Sequence, residues 1–382
     1  MSIKHVPIKD CVENISTTNP LKFKSNEKFI YVDLSSINQT SKVIETKKVI
    51  ESHTAPSRAR QIIYDGDVLI STVRPNLNGV AKVNSEFNNT IASTGFCILR
   101  ANKNIVDSDY LFNWVKTNNF INEMVKQATG ASYPAVSDKM ILNSLIPLPP
   151  LAEQKRIATI LDKANEIKAK RELALAKLDK LAESVFQDIA KKCTQFMSLN
   201  QVADFKSGGT PSKDNKEFWD GDIAWISSAD IINNEIVYGR NYISEAGLSG
   251  SATSLASKGT ILVVTRTGIG KVAITDRDTC FSQDIVALSL KQGFETSFVA
   301  SSIKANKDEF LRQARGATIQ GITKAVLGNA LVPKITLVEQ RKFTQLSNAI
   351  NLHRKKLISH ANETSKFISS LQHQAFTTGF NA

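Results

Sequence analysis

Residues 151–192 have the hydrophobic pattern of one long helix. Neither Gly nor Pro interrupts this stretch, and its apolar residues recur at spacings of three and four, which place them on one helix face. They are Ile157, Ile160, Leu161, Ala164, Ile167, Ala174, Leu175, Leu178, Leu181, Val185 and Ile189. At ~1.5 Å per residue, such a helix is roughly 60 Å long.

A second long helix with the same apolar stripe is predicted at 336–382. The stripe consists of Phe343, Leu346, Ile350, Leu357, Phe367, Ile368 and Leu371. At an offset of 186 residues, Ile157, Ile160, Ala164 and Val185 correspond to Phe343, Leu346, Ile350 and Leu371. We expect the two stripes to form an antiparallel coiled-coil seam, with docking of each stripe on another protein as the alternative.

The helices belong to a longer internal repeat. At the same offset, Gly130-Ala131-Ser132 corresponds to Gly316-Ala317-Thr318, and no gap interrupts the alignment through the helix starts. Further upstream, predicted hairpins at 67–83 and 259–275 align at an offset of 192, with Arg74 opposite Arg266. One unit used twice predicts pseudo-two-fold symmetry.

The segments 1–149 and 195–335 are predicted to be globular. Short apolar or alternating runs bounded by turn residues indicate strands, and helical segments follow at about 107–127 and 296–314. We therefore expect a mixed α/β (α+β) fold. Outside the hairpins and junctions the two segments share little sequence, which indicates a common scaffold with different surfaces.

Each long helix begins at a repeated Glu-Gln pair. Thr336 and Glu339 have the spacing of a capping box, whereas Pro149-Pro150 precedes the first helix and fixes the backbone for its first turn. Glu153-Gln154 and Glu339-Gln340 therefore indicate helix initiation. A contact with a partner, made by both pairs, is the alternative.

The charge of the chain favours a polyanionic partner. Its 48 Lys and Arg exceed its 36 Asp and Glu, and the formal net charge is +12; nucleic acid is the commonest partner of so basic a protein. No apolar run approaches the ~20 residues of a membrane span, so we expect an intracellular, cytoplasmic protein. The single cysteines Cys11, Cys97, Cys193 and Cys280 are expected to be buried free thiols.

The most distinctive local motif begins at Ser207. Gly208-Gly209-Thr210-Pro211-Ser212 allows a sharp turn whose hydroxyls could bind phosphate. The alternative is a structural turn before a hairpin that Trp219 and Trp225 anchor in the core.

This motif, with the aromatic-Trp pair and Gly221-Asp222-Ile223 after it, resembles the start of a recognition domain in specificity subunits of type I restriction-modification systems. The junctions IPLPPLAEQKRI (146–157) and LVPKITLVEQRK (331–342) and the ending SLQHQAF (370–376) are also similar to that family. The first half departs from the pattern, having residues 12–16 and Asn19-Pro20 in place of Gly-Gly-Thr-Pro. Its recognition domain is therefore expected to be of another subtype.

The resemblance implies two target recognition domains, at 1–149 and 195–335, separated by two long antiparallel coiled-coil helices at 150–194 and 336–382. Each domain would bind one half of a bipartite, asymmetric site in double-stranded DNA. The helices would set the spacer and dock two modification (methyltransferase) subunits, and through them the restriction subunits. S-adenosylmethionine, ATP and Mg would be bound by those partners, with no cofactor in this chain.

The sequence lacks the motifs of a catalytic subunit. Asn19-Pro20-Leu21 is not an amino-methyltransferase motif, and the segment 267–272 lacks the residues of a phosphate-binding loop. His353 and His360 are expected at half-buried helix positions rather than at a metal. The alternatives to a restriction-modification subunit are a specificity subunit of a nuclease-free methylation or phage-defence system, and a coiled-coil scaffold that does not bind DNA.

Two sets of residues are predicted to carry the function. The DNA-binding set combines Arg and Asn, which can bond base edges, with Lys, which neutralises phosphate, although any of them could be a solvated surface residue. It consists of Arg58, Arg60, Arg74, Asn76, Asn78, Lys206, Lys213, Arg240, Arg266 and Lys271. The helix seam and docking set consists of Ile157, Ile160, Ala164, Leu178, Val185, Phe343, Leu346, Ile350, Leu357 and Leu371.

Overall fold

A computed structural model describes residues 3–24, 27–130, 132–316 and 320–377. The chain divides into two compact units, residues 1–171 with 360–382 (unit 1) and residues 172–359 (unit 2). Each unit combines one globular segment with parts of both long helices. The predicted division by element type, at 149/150, 194/195 and 335/336, stays a prediction. Of the repeated Gly-Ala-Ser/Thr segments, Ala131, Ala317 and Thr318 lie outside the described residues.

Unit 1 contains short strands and three short helices before the first long helix. The strands are β1 (His5–Pro7), β2 (Val12–Glu13), β3 (Lys28–Val32), β4 (Ile37–Asn38), β5 (Val43–Ile44), β6 (Lys48–Glu51), β7 (Ala59–Ile63), β8 (Val68–Ser71), β9 (Val80–Lys82), β10 (Thr90–Ser93), β11 (Phe96–Ala101) and β12 (Leu145–Pro147). The helices are α1 (Ser108–Val115), α2 (Asn118–Gln127), α3 (Asp138–Asn143) and α4 (Leu151–Lys192), which continues into unit 2.

The strands of unit 1 form two four-stranded sheets and two strand pairs. The sheet orders are β2-β11-β8-β9 and β6-β3-β10-β7, and the pairs are β1-β12 and β4-β5. In the second sheet β3 and β10 run parallel. Inward-facing apolar residues of the first sheet pack against α1, α2 and the start of α4 in one hydrophobic core.

Unit 2 repeats this sequence of elements. Its strands are β13 (Phe196–Ser198), β14 (Ala203–Ser207), β15 (Ile223–Ile226), β16 (Ile231–Ile232), β17 (Glu235–Ile236), β18 (Asn241–Ile243), β19 (Ser254–Ala256), β20 (Ile261–Val264), β21 (Val272–Ile274), β22 (Thr279–Phe281), β23 (Ile285–Leu290) and β24 (Leu331–Pro333). Its helices are α5 (Leu199–Val202), α6 (Glu245–Ser249), α7 (Thr296–Ala305), α8 (Lys307–Gln313), α9 (Lys324–Gly328) and α10 (Leu337–Thr377), which continues into unit 1.

The two units have the same sheet topology. In unit 2 the sheet orders are β14-β23-β20-β21 and β18-β15-β22-β19, and the pairs are β13-β24 and β16-β17. The parallel pair recurs as β15 and β22. The similarity therefore extends far beyond the hairpins and junctions that the sequence alignment found. Alternation of buried and exposed positions determines a sheet, and many residue combinations satisfy it.

The long helices run antiparallel within each unit. In unit 1, Arg171 Nη1 on α4 donates to the carbonyl of His360 on α10 (2.8 Å), and Leu161 shares a core with Phe376. In unit 2, Arg354 Nε on α10 donates to Asp179 on α4 (2.9 Å). Further along α4, the ring of Phe186 lies 5.9 Å from that of Phe343, which comes earlier on α10. The predicted antiparallel pairing is confirmed.

Most of the predicted seam residues are covered. Ile157, Ala164, Phe343 and Ile350 are buried, and Ile160, Leu178, Val185, Leu357 and Leu371 are half-buried. Leu346 is 44% exposed and so does not lie in the seam, whereas its docking on a partner stays a prediction. The stripe residues Ile167, Leu181 and Phe367 are exposed as well. The covered residues Phe343, Ile350, Leu357 and Leu371 lie seven or fourteen residues apart. Leu346 and Phe367 lie three residues after positions of that row, about 60° around the helix, and so fall at the edge of the stripe.

The expected half-burial of His353 and His360 is also wrong, because both are exposed. At the helix starts, Thr336 and Glu339 form the predicted capping box. Gln154 and Gln340 are buried and bond to backbone groups of their own units. The two buried glutamines are therefore not available to a partner, and a partner contact made by Glu153 and Glu339 stays a prediction.

Candidate nucleic-acid interface

In unit 1 a turn and a loop are joined by backbone hydrogen bonds. The turn is residues 72–79, between β8 and β9, and the loop is residues 129–135, after α2. Thr129 and Ala135 exchange two hydrogen bonds that close the loop (3.0 and 2.9 Å), and Arg74 N donates to Pro134 O (2.7 Å). Val136 N donates to Thr72 O (2.8 Å). We call the turn 72–79 together with the loop 129–135 the first frame.

Unit 2 contains the same arrangement between the turn 265–271 and the loop 315–321. Arg315 and Gly321 exchange two hydrogen bonds of 2.9 Å, and Ile322 N donates to Thr265 O (2.9 Å). We call this pair the second frame; residues 317–319 of its loop are not described. The repeated Gly-Ala-Ser/Thr sequences thus belong to the loops of the two frames.

The frames correct the predicted equivalence of Arg74 and Arg266. Ile70 pairs with Val80 across the first hairpin and Val263 pairs with Val272 across the second, so the first turn is one residue longer. Arg74 and Thr267 are the equivalent residues, with left-handed φ angles of 51° and 50°.

Arg266 corresponds instead to Val73. Val73 forms a bridge with Ala135, and Arg266 forms the same bridge with Gly321. The gapless alignment at offset 192 missed this difference because the sequence has no signal for a one-residue change within a turn. The two arginines lie in the same turn at different positions.

Arg74 lies against an aromatic ring, that of Tyr133, which is not among the predicted DNA-binding residues. Its guanidinium carbon lies 4.7 Å from the ring centroid of Tyr133, a cation–π distance. Tyr133 is 68% exposed, and Gly130, with φ of 98°, makes the tight turn that precedes it. An aromatic beside the repeated Gly-Ala-Ser segment was the available signal.

The second frame surrounds Arg266 differently. Arg266 is exposed, and a Cβ atom added to Gly321 would come within 2.8 Å of its Cγ. Thr267 Oγ1 donates to Asp284 (3.2 Å) and lies 2.8 Å from Ser228 Oγ. Lys271 is half-buried, and its Nζ donates to Ser228 O (3.2 Å).

The other predicted DNA-binding residues of unit 1 have varied surroundings. Arg58 and Asn76 are exposed. Arg60 is half-buried and donates to Asn19 Oδ1. Asn78 donates to Val115 O (3.4 Å), and its own carbonyl accepts a hydrogen bond from Lys42.

Those of unit 2 are all exposed, and two of them have intramolecular partners. Lys206 Nζ donates to Leu255 O (3.5 Å). Arg240 lies 3.2 Å from the buried carboxylate of Asp230. Lys213 is exposed beside the Gly-Gly turn. The turn 72–79 holds Arg74, Asn76 and Asn78, the turn 265–271 holds Arg266 and Lys271, and the other five predicted residues lie elsewhere. DNA contact by any of these residues stays a prediction.

The Gly-Gly-Thr-Pro motif serves packing. A Cβ on Gly208 would come within 2.3 Å of the Phe281 carbonyl, and one on Gly209 within 2.4 Å of Ala252. Trp225 is buried and its Nε1 donates to Gly209 O (3.1 Å), while Trp219 Nε1 donates to Ser212 O (3.0 Å). The two rings meet edge to face at 5.2 Å. These contacts fit the structural alternative.

Three lysines, Lys42, Lys82 and Lys116, form a group close to the turn 72–79. Burial lowers the pKa of Lys116 to about 8, with Asp162 and Asp109 opposing that shift and Lys42 and Lys82 adding to it. Burial also lowers the pKa of Lys42. Lys116 Nζ lies 4.2 Å from the Phe112 ring centroid. No local sequence pattern indicated this group, because Lys42, Lys82 and Lys116 lie far apart in the sequence.

The described residues contain no cluster of three or more His, Cys, Asp or Glu that could bind a metal. Among them, no helix is long and apolar enough to cross a bilayer. Cys11, Cys97 and Cys280 are buried as expected, and burial raises the pKa of Cys11 and of Cys280 to about 11. Cys193 is only half-buried, so that expectation is wrong for this residue.

Comparison with protein families gives two matches along the chain. The model for the type I restriction modification DNA specificity domain matches residues 3–176 and 192–359. Each match covers one globular segment and the adjoining part of a long helix. The first half therefore matches the model although it lacks the Gly-Gly-Thr-Pro motif.

Curated relatives are specificity subunits of type I restriction enzymes. That of MjaIX from Methanocaldococcus jannaschii is 29% identical over 149 residues, 38% of this chain and 34% of the relative. That of EcoR124I/EcoR124II from Escherichia coli is 27% identical over 218 residues, 52% and 54% of the two chains. This chain thus spans about a third of the length of the MjaIX subunit and about half of the length of the EcoR124I/EcoR124II subunit. The HindI subunit from Haemophilus influenzae is 20% identical over 369 residues, with 72% and 76% covered.

Two solved structures share the fold over nearly the whole chain. One, from work on complex assembly and conformational transition of the type I R-M system, has a TM-score of 0.64 and 24% identity, and covers 99% of this chain and 98% of that chain. The other, a type I system S subunit from M. genitalium, has a TM-score of 0.62 and 11% identity, with 98% and 96% covered.

Proposed function

Since the chain belongs to the family of type I restriction-modification DNA specificity subunits, we propose that unit 1 and unit 2 each bind one half of a bipartite, asymmetric DNA site. One observation carries this proposal: two globular segments of identical topology hold different side chains in equivalent turns. Phosphate contacts would fix the register, and exposed turn residues would distinguish bases.

The helices are proposed to set the spacer and dock partners. Two contacts on one face of B-DNA need half-sites about one helical turn, roughly 34 Å, apart, and α4 with 42 residues is roughly 60 Å long. Exposed apolar side chains on α4 and α10 would bind two modification subunits, and restriction subunits would join through them. These side chains are Ile167, Leu173, Leu181, Leu346, Leu352 and Phe367.

Catalysis is assigned to those partners. In this proposal the modification subunits bind S-adenosylmethionine, the restriction subunits bind ATP and Mg, and this chain supplies recognition only. Such a complex would act in the cytoplasm, on the nucleoid. A nuclease-free methylation or phage-defence system would use the same recognition chain, and the restriction subunits would then be absent.

A DNA-free scaffold is the alternative from another functional class. We would assemble the full chain with its modification subunits and select from a randomised duplex library at several salt concentrations. Enrichment of a split motif, with affinity falling as salt rises, supports DNA recognition because bound Lys and Arg release counterions. Salt-independent binding without an enriched motif contradicts it. Methylation of the enriched site by the complex would confirm docking of the modification subunits.

A further inference from the structure

The two frames combine a repeated backbone with different side chains. Each loop is closed by a pair of residues six apart, Thr129 with Ala135 and Arg315 with Gly321, so the loops have equal length. Position for position, Tyr133 then corresponds to Ile319 in the sequence. Arg74 corresponds to Thr267 by its φ angle. A repeated backbone with different side chains at equivalent positions allows one scaffold to have two different specificities.

The first frame holds its guanidinium ready for a planar ligand. The guanidinium carbon of Arg74 lies 4.7 Å from the ring centroid of Tyr133. Arg74 is otherwise exposed, so its N–H groups can reach a ligand. A guanidinium can bond O6 and N7 of guanine in a bidentate manner, and pre-orientation lowers the entropy lost on binding. Arg74 N also donates to Pro134 O in the loop that carries Tyr133 (2.7 Å).

The second frame also presents a guanidinium, that of Arg266, but from a different position in the turn. Arg266 occupies the position in unit 2 that Val73 occupies in unit 1. Its backbone forms a β-bridge with Gly321. A side chain at position 321 would collide with Arg266 Cγ at 2.8 Å, and no left-handed φ requires glycine there. Gly321 therefore provides the space in which Arg266 lies.

We propose that described residues of the two frames, Arg74 with Tyr133 and Arg266 with Gly321, read bases in the two half-sites. Arg74 bonds a base edge in one half-site with Tyr133 as its positioning residue, and Arg266 bonds a base edge in the other half-site within the space left by Gly321. This inference rests on the proposed function, and it adds which residues determine each half of the motif and why the halves differ.

The test is a motif measurement on variants of the full chain assembled with its modification subunits. Each complex selects from a randomised duplex library, and the bound duplexes are sequenced. Arg74→Ala is expected to reduce base discrimination in one half-site by roughly 5- to 100-fold, the range of a bidentate base contact. Arg74→Lys is expected to lose most of the same discrimination, because an ammonium group lacks the planar pair of donors.

Tyr133 has its own variants. Tyr133→Phe keeps the ring face and should retain the motif, whereas Tyr133→Ala should relax the same bases as Arg74→Ala. The double variant should be no worse than Arg74→Ala alone, since a positioning residue acts through the arginine. Additive losses would contradict that role. Lys139→Ala, which removes an exposed charge from α3 of the same unit, should leave the motif unchanged.

The second frame is tested by Arg266→Ala and Gly321→Ala. Both should relax only the other half-site, while Lys258→Ala, which removes an exposed charge from unit 2 outside its frame, should leave both halves unchanged. Equal losses at every sequence, or an unchanged motif in the Arg74 and Arg266 variants, would overturn the proposal. The proposed function fails separately, if the unsubstituted complex enriches no split motif. Retention of the unaffected half-site shows that each variant is folded.

Discussion

Gln154 and Gln340 form the same hydrogen bonds in the two units. Asp107 N donates to Gln154 Oε1 at 2.9 Å, and Glu295 N donates to Gln340 Oε1 at 3.0 Å. Each amide Nε2 donates to two carbonyls, of Ile105 and Pro149 in unit 1 and of Gly293 and Ile335 in unit 2. Each glutamine thus joins the first turn of a long helix to the backbone before α1 or α7.

Replacement of either glutamine is expected to destabilise its own unit. Gln340→Met keeps the length of the side chain but leaves a backbone N–H and two carbonyls without this partner, at a cost of about 1 to 3 kcal/mol. Gln345→Met on the same helix is the matched control, because Gln345 is exposed. Chemical denaturation measures both. Equal midpoints for the two variants would show that the bonds of Gln340 contribute little.

Phe376 is predicted to anchor the end of α10 in unit 1. It is 3% exposed, and its ring lies 5.1 Å from Tyr110 and 5.2 Å from Trp114. Phe376→Ala should cost about 3 to 5 kcal/mol, the usual range for a buried phenylalanine. Thermal unfolding of the full chain measures this loss.

Phe367 provides the matched control on the same helix. It is 60% exposed, so Phe367→Ala should leave the unfolding temperature nearly unchanged. If the exposed apolar residues dock the modification subunits, this variant should instead weaken assembly of the complex. A large loss of stability in Phe367→Ala would contradict its exposed position.

The sequence predicted the elements with strong periodicity and missed those built from separate segments. The long helices, the capping box at Thr336 and the two aligned hairpins depend on local spacing, and all are confirmed. The exposure of Leu346 depends on its place at the edge of the apolar stripe, between the buried Phe343 and Ile350. The shift between Arg74 and Arg266 depends on one residue within a turn. Tyr133 lies against an arginine far away in sequence, so local spacing could not indicate that contact, although Tyr133 directly follows the repeated Gly-Ala-Ser segment.

Lys116 is predicted to oppose folding at neutral pH. Burial lowers its pKa from 10.5 to about 8, so the folded state binds this proton less tightly than the unfolded state. The resulting penalty is fully present below pH 8 and disappears as pH rises from about 8 to 10.5. Lys116→Met should therefore raise the unfolding temperature at pH 7 and flatten its pH dependence over that window.

The control for Lys116 is Lys126→Met, at an exposed position of α2. It should leave both quantities unchanged. If Lys116→Met also reduces the salt dependence of DNA binding, the lysine is kept for phosphate contact at the expense of stability. Lower stability of Lys116→Met at pH 7 would contradict the predicted sign.

The helices are predicted to determine the spacer between half-sites. Insertion of one heptad within residues 160–185, matched by one heptad in the facing part of α10, adds ~10 Å of helix. That length corresponds to about three base pairs of B-DNA at ~3.4 Å each. Sequencing of duplexes selected by the assembled complex should show a spacer longer by about that number.

The insertion also tests whether orientation matters as much as length. Seven residues rotate a helix by nearly two full turns, with a residual of ~20°, so the seam face is almost preserved. Three base pairs, however, rotate the DNA by about a third of its ~10-base-pair turn. The lengthened chain should therefore select the longer spacer with reduced affinity. An unchanged spacer would mean that the DNA-binding turns, rather than the helix length, fix the distance between the half-sites.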